Sequence, residues 1–190
     1  MIPAMQKKTT TSILRQLTLE IEKVPEAALF SHVSPDGDCL GSMLALGIAL
    51  RSLGKKITYY NAGPLPGSLK FLPEAERISA VIPGDLPDTL IFIDCAEAER
   101  AFAMVKEHFK DRKVYNIDHH VSNDLFGNLN WVDPEAAATG EMIYHLIRKL
   151  GVPISKDIAI NLYAAIITDT GRFSFSNTTA KSFKIAAELV

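Results

Sequence analysis

Residues 27–60 read AALFSHVSPDGDCLGSMLALGIALRSLGKKITYY, and the reading of this stretch decides the fold. Ala27 to Ser31 is an apolar run of strand length. Leu40 to Leu53 is apolar nearly all round, with Met43, Leu44, Ile48 and Leu50; Gly41 and Gly47 let a neighbour approach closely, and Gly54 closes the segment. It reads as a buried helix. Lys56 to Tyr60 is again of strand length. Strands joined through such a helix run parallel, because a parallel connection needs about a dozen residues or more. Runs at Thr89 to Ile93 and Val114 to Ile117, with Ala80 to Ile82 as a weaker fifth, extend the sheet. The fold class is therefore α/β, a parallel sheet with flanking helices.

Outward from this core the pattern is helical. Ile13, Leu14, Leu17, Ile21 and Val24 recur at helical spacing behind the Thr9 to Ser12 cluster, which supplies an N-cap, so an amphipathic helix packs outside the sheet. Beyond Trp131, Asp133-Pro134-Glu135 reads as a turn and helix start. Thr139, Ile143, Leu146, Ile147 and Leu150 then share a helix face ended by Gly151 and Pro153. A helix from Ser155 to Ile167 and another from Thr178 to Val190 make a helical C-terminal part. The 190 residues form one domain, with no repeat, low-complexity tract or linker. The last helical pattern stops without a terminator, which suggests a part of a longer protein.

Composition narrows the function classes. Hydrophobic residues make up 47% and charged residues 22%, a globular profile with a substantial core. A net charge of −2 gives no cationic field for long duplex nucleic acid or anionic lipid, so an anionic substrate is met locally. Cys39 and Cys95 are too few and too far apart for a disulfide framework, which points to the cytoplasm. Lys7 and Lys8 are followed by threonines rather than an apolar run, so no secretory signal is visible. No stretch approaches the roughly 20 apolar residues of a membrane span.

The chemistry sits at the strand ends. The first strand runs into His32-Val33-Ser34-Pro35-Asp36-Gly37-Asp38, the third into Asp94, and the fourth into Asp118-His119-His120. Parallel strands bring these ends to one edge, where ligands of open α/β sheets bind. Singly, each has a structural explanation: a Pro-Asp-Gly turn, helix-capping carboxylates at Asp36 and Asp38, a strand-end Asp94, a half-buried His119 or His120. Together with Asp169, placed against the helix dipole at the end of a helix, five carboxylates on one edge repel each other unless a cation offsets them. Mixed carboxylate and imidazole donors suit Mn²⁺, Mg²⁺, Co²⁺ or Zn²⁺. Their number exceeds the needs of one ion, and two ions roughly 3.5 to 4 Å apart form a clamp for in-line attack on phosphorus. The simplest bridge is Asp94, on the strand between the other two.

His-x-x-x-Pro-Asp-Gly-Asp-x-x-Gly-Ser at His32 to Ser42, Asp94, Asp118-His119-His120 and Thr168-Asp169-Thr170-Gly171-x-Phe173 resemble, in order, the four motifs of the DHH phosphoesterase family. Asp94-Cys95 with Arg100, His120-Val121-Ser122-Asn123, and Phe173-Ser174-Phe175-Ser176-Asn177-Thr178 look most like its bacterial oligoribonucleases that also act as 3′-phosphoadenosine 5′-phosphate phosphatases. The resemblance implies a metal-dependent phosphoesterase using two divalent ions, Mn²⁺ first, to activate water against short oligoribonucleotides or 3′-phosphorylated nucleotides. It makes His32, Asp36 and Asp94 ligands of one ion, and Asp38, Asp94, His119 and Asp169 ligands of the other. Asp118 then orients the His119 ring, His120 contacts the scissile phosphate, and Asn123 and Arg100 contact phosphate or nucleotide, Arg100 having a solvent-facing alternative.

The same resemblance implies a smaller second domain that holds the substrate through a Gly-Gly-His segment. Nothing like that segment occurs before Val190, so residues 1–190 are expected to be the catalytic, metal-binding domain and weakly active alone. Alternative readings are a cyclic or linear dinucleotide phosphodiesterase, an inorganic pyrophosphatase, or a catalytically weak nucleotide-binding module. Trp131, Phe71, Phe126 and Phe183 read as packing residues, and Thr139-Gly140-Glu141 as scaffolding behind the site.

Overall fold

The structure is a computed structural model that describes residues 10–190. Lys7, Lys8 and Thr9, used above for the leader and the N-cap, lie outside the described residues. Helix α1 (Thr10–Lys23) precedes strand β1 (Glu26–Ser31), helix α2 (Gly37–Ser52) and strand β2 (Lys56–Tyr60). Strands β3 (Ile78–Ser79), β4 (Thr89–Ile93), β5 (Lys113–Asp118) and β6 (Leu129–Val132) follow, then helices α3 (Thr139–Lys149), α4 (Lys156–Asp169) and α5 (Ala180–Leu189).

The strands form one sheet of order β3-β2-β1-β4-β5-β6, and every pair is parallel. The chain winds from β1 to one edge and then returns to the other side of β1, so the direction reverses between β1 and β4. A crevice opens at such a point, outside the carboxyl ends of the strands.

β1 and β4 are central and buried on both faces, which is why they read as continuous apolar runs. Leu29, Ile91 and Ile117 face the helices, packing with Leu17 and Ile21 of α1, Leu40 and Leu44 of α2 and Ile143 of α3. Phe30, Phe92 and Val114 face the other side. There the cover comes from short 3₁₀ turns at Ala98–Arg100 and Val105–His108, with Phe102, Phe109 and Phe126, rather than from long helices. The β4 to β5 connection therefore lacks the crossover helix that a doubly wound sheet would supply.

Two strands differ from expectation. The weak fifth run at Ala80 to Ile82 is not a strand; β3 occupies Ile78–Ser79, and Val81 is 72% exposed where the chain leaves the edge. β6 lies where no strand was expected. It is a four-residue edge strand paired only with β5, too short to impose a visible alternation. Among the aromatics, Trp131 is buried and Phe126 packs on Phe92, but Phe71 and Phe183 are exposed, Phe183 stacking on Phe173.

Helix α4 is set against α2 by glycines. A Cβ on Gly37 would collide with Thr168, and one on Gly41 with the carbonyl of Asn161. This close approach brings the end of α4, and with it Asp169, over the start of α2. No helix among the described residues is long and apolar enough to cross a membrane.

Candidate metal centre

His32 follows β1, Asp36 caps α2, Asp38 lies in its first turn, Asp94 follows β4, Asp118 ends β5, and Asp169 ends α4. The structure brings all of these together with His119 and His120. Asp94 is the pivot. Its φ of 58° is left-handed, a conformation that aspartate tolerates better than most residues, and the strand breaks there. Its Oδ2 lies 3.5 Å from His32 Nε2, while its Oδ1 lies 3.7 Å from His119 Nε2 and 3.6 Å from His120 Nδ1. One carboxylate thus turns an oxygen toward each of two groups.

The first group is His32, Asp36 and Asp94. Asp36 spends Oδ1 on the amide of Cys39, capping α2, and keeps Oδ2 3.9 Å from His32 Nε2. Capping and facing the site are compatible because the carboxylate has two oxygens. The second group is Asp38, Asp94, His119 and Asp169, with His119 Nε2 3.9 Å from Asp38 Oδ2 and 3.1 Å from Asp169 Oδ2.

Asp38 is fully buried and held by three donors: Ser42 Oγ and the amide of Gly140 reach Oδ1, and the amide of Thr139 reaches Oδ2. The Thr139 hydroxyl also donates to Asp94 Oδ1 at 2.8 Å. The first turn of α3 therefore fixes two carboxylates of the second group. The scaffolding expected of Thr139-Gly140-Glu141 is direct contact at Thr139 and Gly140, while Glu141 accepts from Ser182 of α5.

The histidines sort by their second nitrogen. His32 Nδ1 bonds the carbonyl of Val33 at 2.9 Å, and His119 Nδ1 bonds the carbonyl of Ala136 at 3.1 Å. A carbonyl only accepts, so each Nδ1 carries a hydrogen and each Nε2 is the nitrogen turned to the carboxylates, where a metal ion would take its lone pair. Metal-binding imidazoles are oriented in this way. His120 differs: its Nδ1 bonds Asp118 Oδ1 at 2.7 Å.

This corrects the role expected of Asp118. Its Oδ1 also takes the backbone amide of His119, and its Oδ2 takes Asn123 Nδ2 at 2.6 Å, so it orients the His120 ring and not the His119 ring. The strand end places the His119 ring under the β6–α3 loop, where a carbonyl does the work. Asn123 is likewise not a free substrate contact. Its Nδ2 reaches Asp118, Asn116 and the carbonyl of Cys95, and its Oδ1 takes the amide of Leu125. Arg100 is exposed on the turn after β4, and its carbonyl takes the amide of Val33.

Electrostatics match the geometry. Burial first, then the charges of Asp94 and Asp169, push the Asp38 carboxyl well above the usual carboxylate range. Burial works to lower His119, but Asp169, Asp38 and Asp94 outweigh it and raise the ring well above the ordinary histidine range. Burial works to raise Asp118, and the bonds from His120 and Asn123 outweigh it. The bond to Asp118 leads in raising His120. No Lys or Arg ion pair reaches any of these carboxylates among the described residues. Four carboxylates and two oriented imidazoles, paired with no Lys or Arg among the described residues, fit divalent metal ions with oxygen and nitrogen preference. Cys39 also comes within reach of His32 and Asp36, but burial pushes its thiol up, as it does for Cys95.

The family model described as DHH family, N-terminal domain, matches residues 26–166, which span every strand and all but one of these site residues. The chain belongs to the DHH family. The bifunctional oligoribonuclease and PAP phosphatase NrnA of Thermus thermophilus is 43% identical to this DHH chain over 178 residues, 92% of this chain and 53% of that protein. The protein of the same name from Bacillus subtilis is 33% identical over 165 residues, 85% and 51%. Among solved structures, an exopolyphosphatase-related protein from Bacteroides fragilis superposes with a TM-score of 0.86 at 26% identity, covering 97% of this chain and 58% of that one. The DHH chain spans about half the length of the curated relatives it matches.

Proposed function

We propose that the protein is a metal-dependent phosphoesterase that hydrolyses short oligoribonucleotides and 3′-phosphoadenosine 5′-phosphate, and that residues 1–190 are its metal-holding domain. The observation that carries the reading is Asp94, whose two oxygens face two separate histidine-carboxylate groups. The names of the NrnA relatives support the substrate class.

In this reading His32, Asp36 and Asp94 hold one divalent ion, and Asp38, Asp94, His119 and Asp169 hold the other. Mn²⁺ is the first choice, and Mg²⁺, Co²⁺ and Zn²⁺ suit the same donors. When bound, the pair supplies Lewis acidity toward the phosphate and an acidified water. The protein residues do the positioning. Thr139 and Gly140 hold Asp94 and Asp38 in place, and the carbonyls of Val33 and Ala136 fix the two imidazoles. His120, fixed through Nδ1 by Asp118, keeps Nε2 for the phosphate or the leaving oxygen. Arg100 remains a candidate phosphate contact, while Asn123 acts through Asp118. Two buried free thiols suit a reducing compartment, and we assign the protein to the cytoplasm on that ground.

The test is hydrolysis of a ribodinucleotide and of 3′-phosphoadenosine 5′-phosphate with Mn²⁺ and with chelator. Cleavage of both, abolished by chelator, is the expected result. Cleavage of neither, or faster turnover of inorganic pyrophosphate than of any dinucleotide, contradicts the reading.

A further inference from the structure

Just beyond Asp169 the chain makes a costly turn. Gly171, Arg172 and Phe173 have φ of 54°, 58° and 65°, three successive residues in the left-handed region, where arginine and phenylalanine are disfavoured. The turn is pinned from several sides. The Arg172 amide donates to the Ile167 carbonyl at 2.7 Å, and the amides of Ser174 and Phe175 both donate to the Thr170 carbonyl at 3.0 Å. The Phe173 ring stacks on Phe183 of α5 with centroids 5.0 Å apart.

This conformation displays two side chains that no packing requirement explains. The Phe175 ring lies on Gly171 so closely that any side chain at 171 would collide with it, yet Phe175 stays 60% exposed. The ring is packed on Gly171 on one side and much of the remainder is open. Arg172 is exposed and has no ion pair among the described residues. With Thr168 and Ser174 they line a cavity of about 460 Å³. Thr168 also closes on Gly37, the residue after Asp36, and Asp169 precedes the turn by two residues. Thr168 thus lies between the cavity and the start of α2, where Asp36 and Asp38 sit.

We propose that this cavity is a nucleotide subsite, in which Phe175 stacks a nucleobase and Arg172 pairs with a phosphate next to the one that reacts. A clamped aromatic ring is a stacking platform for any base, because every base has a π-face. A guanidinium matches a phosphate with two parallel hydrogen bonds. The backbone strain is then the means of holding ring and guanidinium in one arrangement. This rests on the phosphoesterase reading above and sharpens it: the preferred esters carry a base.

The test is titration of 2-aminopurine riboside 5′-monophosphate, whose fluorescence falls on stacking, into the protein in Mg²⁺. Quenching is expected in the unaltered protein, kept in Phe175→Tyr and lost in Phe175→Leu. Arg172→Asn, chosen because asparagine tolerates the left-handed conformation, is expected to weaken binding about tenfold. In parallel, the preference for a ribodinucleotide over the same compound lacking a base is expected to fall about tenfold in Phe175→Leu. Absence of quenching, or quenching equal in Phe175→Leu, overturns the subsite while metal-dependent cleavage of ribodinucleotides leaves the phosphoesterase reading standing. Quenching dependent on Phe175 in a protein that cleaves no phosphate ester keeps the subsite and overturns the reaction.

Discussion

Asp94→Ala is expected to lower Mn²⁺-dependent hydrolysis of a ribodinucleotide by about 10³-fold or more. A cation clamp contributes several kcal/mol to the transition state, and each 1.4 kcal/mol is about tenfold in rate. Asp94 is the residue whose loss opens both groups at once, since its Oδ2 faces His32 and its Oδ1 faces His119. Asp94→Asn is the sharper variant. It keeps the shape and an oxygen for the Thr139 hydroxyl, but gives up the negative charge and one oxygen donor. Asn is expected to be nearly as damaging as Ala. Activity within a few-fold of the unaltered protein in Asp94→Asn would mean that Asp94 packs the strand end and bridges nothing.

His120→Ala is expected to cost about 10²-fold or more in rate with bound Mn²⁺ unchanged, the loss typical of a positioned acid-base group. Three features separate His120 from the two other site histidines. Its Nδ1 is committed to the Asp118 carboxylate instead of a backbone carbonyl. Its side chain is 37% exposed, against 13% for His119 and 7% for His32. Its Nε2 has no protein partner among the described residues, so it can meet a substrate. His119→Ala is the contrasting variant and is expected to lose metal together with activity. Loss of metal in His120→Ala would move that residue into the ligand set, where its approach of 3.6 Å to Asp94 could place it.

How much of this was legible in the sequence follows from burial. β1, β4 and β5 stood out because central parallel strands are buried on both faces, and α2 because it is buried nearly all round. β3 and β6 are edge strands of two and four residues, held by pairing with one neighbour, so their sequences carry little signal. Convergence of His32, Asp94 and Asp118 was legible because parallel topology alone sends strand ends to one edge.

What hydrogen-bonds to each ligand was not legible. Asp118 and His119 are adjacent in sequence, yet the carboxylate turns to the His120 ring, because its Oδ1 takes the His119 amide and the His119 ring swings to the Ala136 carbonyl. Thr139 lies 45 positions from Asp94 in a segment that follows an unrecognised strand. Asn123 looked like a free amide but is enclosed by four partners, Asn116 and Asp118 of β5, Cys95 after β4 and Leu125 of its own loop. The left-handed turn at Gly171 to Phe173 had one signal, the glycine, and the two residues after it gave none.

The central claim is that one carboxylate joins two cation sites, and counting bound Mn²⁺ by equilibrium dialysis, with the electron paramagnetic resonance spectrum of the same samples, tests it most directly. Two Mn²⁺ per chain with the spectrum of a spin-coupled pair are expected, with loss of the coupled signal in Asp94→Ala. A single Mn²⁺ with an uncoupled spectrum, or two that remain coupled without Asp94, would contradict it.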